Sequence, residues 1–403
     1  MKNLLITSVS ALALGITASA VMANDSVIGQ IGALNTASVD QTGGNEGVSN
    51  INQDGSNNLA EVTQSEDPDG ISSFNTAAND ATIDQIGGNS RARIEQDSDN
   101  PGGASNTASI SQNSNGTPQA GGGVPSGYSM NGRIIQSGSA NASSITQSGN
   151  PNQPPADGLG SGVTARNDQT GDGNQSSILQ DVFAQDANPY TDANIFQTGD
   201  GNMSDVRQRG SEALANVTQT GVNNMSDVSQ GANRGMTAEV TQTGSDNESL
   251  VDQVARDVLA TVTQSGTSQY SLINQGPQSR EATATVTQSN DNNSSIINQT
   301  NVSSDADVIQ SGVDGLSTIT QSNGNNVYAS LMQSGFGNES IMSQSGDDHS
   351  AYVTQSTDLN FSEITQSGTT PGGNTASVMQ TVTSSNSSII NQSGSGNMAT
   401  VMQ

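Results

Sequence analysis

Histidine occurs once in the 403-residue sequence, at His349, lysine only at Lys2, and cysteine not at all. His349 occupies the first inward position of the segment ending at Gln355. No second base, thiol or ordered carboxylate accompanies it, so acid–base or nucleophilic chemistry lacks its partners. The position is usually Asn in this sequence, and structural substitution accounts for the imidazole. Without cysteine, disulfides and thiolate metal sites are excluded. Oxygen ligands fare little better: Asp97-Ser98-Asp99-Asn100-Pro101-Gly102 imitates the start of an EF-hand loop but has Pro at the fifth position and Ala108 where the closing Glu belongs. Thr170-Gly171-Asp172-Gly173-Asn174 and Thr198-Gly199-Asp200-Gly201-Asn202 offer carboxylates for loose calcium contact, but read first as Gly-Asn turns. Neither enzyme nor cofactor nor metal site is expected.

Glutamine is the residue whose spacing carries chemistry. The pattern small-x-aliphatic-x-Gln recurs 30 times, from Ser26-Val27-Ile28-Gly29-Gln30 to Ala399-Thr400-Val401-Met402-Gln403, and 18 of the 29 intervals between glutamines are 11 residues. In the regular stretch the anchors are Gln197, Gln208, Gln219, Gln230, Gln242, Gln253, Gln264 and Gln275. A side-chain amide both donates and accepts, so identical residues stacked at strand spacing satisfy one another, whereas a lone buried Gln is costly. Val217, Val228, Ile319 and Val353 sit two places before their glutamines, and Asn224 and Asn338 six places before Gln230 and Gln344.

Residues at i, i+2 and i+4 share one face of a strand, so small, aliphatic and Gln positions point inward together while the intervening Thr, Ser, Asp and Asn face solvent. Val228, Ile319 and Val353 are thus inward, and Thr218, Thr263 and Thr354 outward. Seven strand residues and four turn residues fill an 11-residue interval, with Gly and Asn supplying the left-handed turn conformations. From Ala193 to Ala399 the small position alternates Ala and Ser through nineteen copies, so two kinds of strand alternate. The repeating unit is a strand-turn-strand of ~22 residues, with about 15 such units stacked as hairpins into an all-β solenoid of cross-β type. Longer spacings at every fourth interval between Gln197 and Gln380 pair the units into a super-repeat of 45 to 47 residues.

All ten prolines fall in the seven intervals longer than 12 residues, as continuous hydrogen-bonded stacking requires. The insertions at 65–79, 113–129 and 148–162 are read as loops leaving a regular stack. Residues 1–23 read as a signal peptide: a basic start at Lys2, a short apolar run, and Val21-Met22-Ala23 before Asn24. Residues 24–192 are repeats with Pro/Gly-rich insertions and 193–403 nearly pure repeat. Aromatic residues make up 2% of the chain, so an ordinary globular core is excluded. A formal charge of -28 argues against nucleic acid and anionic membrane surfaces as partners, and no segment after residue 23 is apolar enough for membrane insertion.

The string Gln219-Thr-Gly-Val-Asn-Asn224-Met-Ser226-Asp-Val228-Ser-Gln230 resembles the curlin repeat of the bacterial curli amyloid subunits, and the resemblance extends over nearly all of 26–403. It implies a secreted chain that leaves through a dedicated outer-membrane secretion pore, works with a nucleator subunit, and polymerises with itself into extracellular, cell-surface fibres of the biofilm matrix. The repeats begin within a few residues of Asn24, without the Gly-rich leader of the familiar major subunit, and fifteen units exceed its handful. The last strand runs to Gln403, so open strand edges are expected to template a further copy. Two monomeric readings compete. An ice-binding or adhesin-type solenoid is hinted at by outward pairs such as Thr261/Thr263, but Asp, Asn, Ser and Met interrupt the threonine column. A carbohydrate-active β-helix would show aromatic platforms and clustered carboxylates in its loops, and the sequence has neither.

Overall fold

The computed structural model describes residues 24–41, 47–66, 79–98, 104–114, 129–149, 162–182, 191–231, 234–368 and 372–403. The segment read as a signal peptide, most of the three long insertions and nine of the ten prolines lie outside the described residues. Within them run thirty strands, β1 (Asp25–Ala33) to β30 (Met398–Met402), and no helix. None of their segments is a helix long and apolar enough to cross a membrane.

All odd-numbered strands, in sequence order, form one fifteen-stranded sheet and all even-numbered strands the other. Pairing is parallel and like falls on like: Met203 pairs with Met225, Ser204 with Ser226, Asp205 with Asp227, Val206 with Val228 and Gln208 with Gln230. A one-residue slip would turn every inward side chain to solvent, so the repeated pattern itself fixes the register. The sequence leads one to expect stacked hairpins, and here the structure differs. Successive strands belong to different sheets and face each other through side chains, so the unit is a β-arch. The hydrogen bonds that a hairpin would make within one unit are made instead to the units before and after it.

The turns explain the glycines. Where β14 (Ala213–Val222) gives way to β15 (Met225–Gln230), Gly221 near the end of β14 and Asn223 after it adopt φ of +122° and +56°. A side chain on Gly221 would also collide with the carbonyl of Gly244 in the next rung. Gly is therefore required twice, by its own backbone and by the stacking distance.

Between the sheets lies one continuous core, running from Ile51 to Ile390 and fed by an aliphatic residue from almost every strand, with Ala beside it chiefly in the even strands. The Ala/Ser alternation resolves into the two sheets: Ala215, Ala238 and Ala260 belong to even strands, and Ser204, Ser226 and Ser249 to odd ones. A second, smaller cluster of Ala213, Met236, Ala255, Val258 and Ala282 fills the corner where odd strands lead into even ones. Four of them, Ala213, Met236, Val258 and Ala282, stand six places before their glutamines, the position that Asn224 and Asn338 hold in odd strands. On the even sheet the corner is apolar over these rungs, and the Ala282 carbonyl takes its inward partner from the Gln275 side-chain amide at 3.1 Å.

Candidate assembly site

The inward glutamines form two unbroken ladders, one per sheet. In the even sheet Gln197 Nε2 donates to Gln219 Oε1 at 2.8 Å, Gln219 to Gln242 at 2.8 Å, and Gln242 to Gln264 at 2.9 Å. In the odd sheet Gln208 donates to Gln230 at 2.8 Å, Gln230 to Gln253 at 2.9 Å, and Gln253 to Gln275 at 2.9 Å. All eight side chains are at most 1% exposed. The second N–H of each amide crosses the core. Gln219 reaches the Met203 carbonyl at 3.0 Å and Gln230 the Leu214 carbonyl at 2.9 Å, each at the start of a strand in the facing sheet. This lateral bond has no counterpart in the sequence pattern, since it depends on how the two sheets face each other. With both N–H groups and the carbonyl bonded, the burial cost of the amide is met in full.

Every step of both ladders runs the same way, with the donor pointing toward the higher-numbered rung, from Gln30 to Gln53 at the start and from Gln380 to Gln403 at the end. The ends of the solenoid are therefore unlike. Among the described residues nothing donates to the side-chain oxygen of Gln30 or Gln41, while Gln392 and Gln403 carry N–H groups with no further glutamine above them. The backbones of β1 and of β29 (Ser387–Ser393) each have one partner strand only.

Asparagine lines the corner leading into the odd sheet. Asn224 Oδ1 accepts from the Asn247 backbone N–H at 3.2 Å, and its Nδ2 donates to the Gly244 carbonyl at 3.0 Å. Asn338 accepts from Asn360 N–H at 2.9 Å and donates to the Ser334 carbonyl at 2.8 Å. At the other corner, leading into β26 (Ser350–Gln355) of the even sheet, His349 is 1% exposed and plays the same part: its Nδ1 accepts from the Asn374 N–H at 3.1 Å, and its Nε2 lies 3.2 Å from the Ser345 carbonyl. Val217, Val228, Ile319 and Val353 are all buried, whereas Thr218 and Thr263 are exposed and Thr354 half-buried. Asn167 stands where an aliphatic residue is the rule, and its Nδ2 reaches the Ser143 hydroxyl across the core at 2.8 Å.

The acidic turns are capped rather than open. Asp172 Oδ1 accepts from the Ser139 N–H at 2.9 Å and hydroxyl at 2.8 Å, and Asp200 Oδ1 accepts from the Asp172 N–H at 3.0 Å. Outside the solenoid, Arg207 bonds Asp205 on its own strand and lies 3.7 Å from Asp227 on the next. Burial raises the pKa of Asp205, an effect that Arg207 opposes and Asp227 reinforces. Burial likewise raises Asp252 and Asp307. The outward threonines Thr218, Thr241, Thr263 and Thr287 stack in register over four rungs, bounded by Phe196 before and Ile309 after.

The profile described as Curlin associated repeat matches residues 192–221, 237–266, 324–356 and 342–368. These segments of the chain carry the curlin repeat. The matched repeats all lie beyond residue 191, where the ladder is least interrupted, and each contains inward glutamines and at least one turn glycine of positive φ. No curated protein matches the chain.

Proposed function

We propose that this chain is a secreted structural subunit that assembles with copies of itself into extracellular, curli-like amyloid fibres of the biofilm matrix. The observation that carries the reading is the common direction of both glutamine ladders, which gives each rung one side offering side-chain carbonyl oxygens and one offering side-chain N–H groups. Among the described residues the first rung turns the side-chain oxygens of Gln30 and Gln41 outward along the axis, and the last rung the N–H groups of Gln392 and Gln403. A second copy stacked head to tail continues two sheets and two ladders at once. Stacked head to head, carbonyl would meet carbonyl. The sites proposed for this stacking are the Gln columns, with Asn224 and Asn338 in the corner column and Val217, Val228, Ile319 and Val353 in the core. The curlin repeats bring the partners that such a subunit uses, a nucleator and an outer-membrane pore, into the same reading. The solenoid itself acts as scaffold and not as catalyst.

The test is to incubate purified 24–403 in buffer, follow thioflavin T, and image the product by electron microscopy with fibre diffraction. Dye-positive fibres with a meridional repeat of ~4.8 Å are expected. A chain that stays monomeric for days, even with preformed seeds, would overturn the reading. Thermal hysteresis of that monomer would transfer the function to the four-rung threonine column.

A further inference from the structure

The outward face of the even-numbered sheet changes chemistry along the axis. Toward one end it carries Arg93, Arg133 and Arg166, which pair with Glu95 and Asp168. The threonine column follows. Over β24 (Tyr328–Gln333), β26 (Ser350–Gln355), β28 (Thr375–Gln380) and β30, the twelve outward positions hold no charge at all. Met332 is 48% exposed, Tyr352 43%, Met379 40% and Met402 73%, and the Tyr328 and Tyr352 rings pack against each other, tilted by 43°, with centroids 5.4 Å apart. On the opposite sheet the same region carries Glu339 and Glu363 at outward positions.

We propose that this methionine and tyrosine face is the lateral contact between copies of this chain in neighbouring filaments. The inference rests on the fibre reading above and adds to it how filaments associate. Charge selects the partner. In a chain with 38 acidic residues and a formal charge of -28, two copies repel through most of their surface, and this face lets them meet without opposing carboxylates. Methionine adapts its shape to an irregular partner, and tyrosine buries a large ring while keeping its hydroxyl wet. Area decides when contact forms. Four strands at ~4.8 Å by six residues at ~3.3 Å give a patch of ~380 Å². That is about half of the ~800 Å² per partner in a standard stable interface. Two free subunits do not hold together through it. Along a filament the patch recurs once per subunit, so the contacts add and only assembled copies associate.

The test separates growth from bundling. Mature wild-type chain is expected to sediment as a monomer when freshly dissolved and to form filaments that lie in bundles under negative stain. The triple variant Met332→Ser/Tyr352→Ser/Met379→Ser introduces the residue type already present at Ser330, Ser350 and Ser377. It is expected to grow with unchanged thioflavin T kinetics and unchanged single-filament width, and to lose the bundles. Met332→Glu/Met379→Glu should lose them too, while Thr218→Glu/Thr241→Glu, with the same added charge on the threonine zone, should keep them. Bundles that persist in the serine variant overturn the proposal. So do bundles lost equally in the threonine control, which would make net charge the cause. A freshly dissolved dimer contradicts the area argument, and single filaments that bind phosphatidylcholine vesicles through this face assign it to lipid instead. Wild-type filaments that never bundle sink this inference alone, whereas a chain that makes no filaments sinks the fibre reading and the inference with it.

Discussion

Gln219 spends one N–H on the Gln242 carbonyl of the next rung, at 2.8 Å, and the other on the Met203 backbone carbonyl of the facing sheet, at 3.0 Å. One side chain thus joins rung to rung and sheet to sheet. A residue confined to stacking would need only the first bond, and a residue confined to closing the core only the second.

Truncating that amide should cost more than its apolar volume. Gln219→Ala leaves the Gln197 donor, the Gln242 acceptor and the Met203 carbonyl without their partner in a buried site, at roughly 1–3 kcal/mol for each unsatisfied group. We expect a fall of several kcal/mol in unfolding free energy, read by urea titration of the soluble chain. A loss below ~1 kcal/mol would mean that water or backbone movement replaces the ladder bond.

Charge should distinguish the two faces of a strand. Val228→Asp and Ile319→Asp bury an unpaired carboxylate among residues that are 0% exposed, and should abolish or severely slow fibre formation. Thr263→Asp places its charge in solvent and should assemble at a rate close to wild type. Similar lag times for the two classes would contradict the strand faces described here.

The imidazole of His349 occupies an asparagine position in the ladder, accepting the Asn374 N–H and lying against the Ser345 carbonyl. Asn carries an acceptor and a donor suited to both bonds, as Asn374 does in the following rung, where it accepts from Asn397 N–H at 3.0 Å. His349→Asn should leave stability within ~0.5 kcal/mol or raise it, while His349→Ala should cost ~1–3 kcal/mol by orphaning the Asn374 N–H. Calorimetry of the three chains separates these outcomes. Loss of assembly on His349→Asn would give the imidazole a role beyond substitution.

Acid and salt should both favour assembly. Asp205, Asp252 and Asp307 have raised folded-state pKa values, chiefly through burial, so the folded chain holds these protons more tightly than the unfolded chain does. In the window above the ordinary value of 3.8 the ionised carboxylates therefore destabilise the fold, and that penalty is relieved as pH falls through the raised values. Screening works in the same direction, since the Debye length falls from ~30 Å at 0.01 M to ~8 Å at 0.15 M salt. Lag times measured from pH 7 to 4.5, and across a salt series at pH 7, should shorten in both directions. Replacing Asp252 by Asn should weaken the pH dependence, and an unchanged profile would place the titrating groups elsewhere.

Long insertions should be dispensable. The even sheet runs without a break from β8 (Ser129–Ser137) to β10 (Gly162–Thr170) across the insertion at 148–162, with Gln136 donating to Gln169 at 2.9 Å. Excising 151–160 shortens the connection between two consecutive strands, and loop length alters closure entropy only slowly. Seeded growth of the deletion chain should match that of the full chain, and residues 193–403 should polymerise alone and faster than 24–192. A deletion that cannot be seeded would make the insertion part of the stack.

The 11-residue spacing of glutamines, the period-2 alternation and the confinement of proline to long intervals together determined, from sequence alone, that the chain is a stack of about 15 repeats with Val228 inside and Thr218 outside. These are local properties, since side-chain alternation along a strand follows from backbone geometry and repetition forces like onto like. Tertiary structure decided the rest. Whether Gln208 and Gln219 lie in one sheet or two is not a local question: an arch and a hairpin have the same alternation and differ only in where the backbone groups find partners. The cross-core bond from Gln219 to Met203, the apolar corner around Met236 and the common direction of both ladders follow from how the two sheets face each other. The uncharged face was equally hidden. Met332, Tyr352 and Met379 are about two dozen residues apart in sequence, and become neighbours only when the rungs that carry them are stacked.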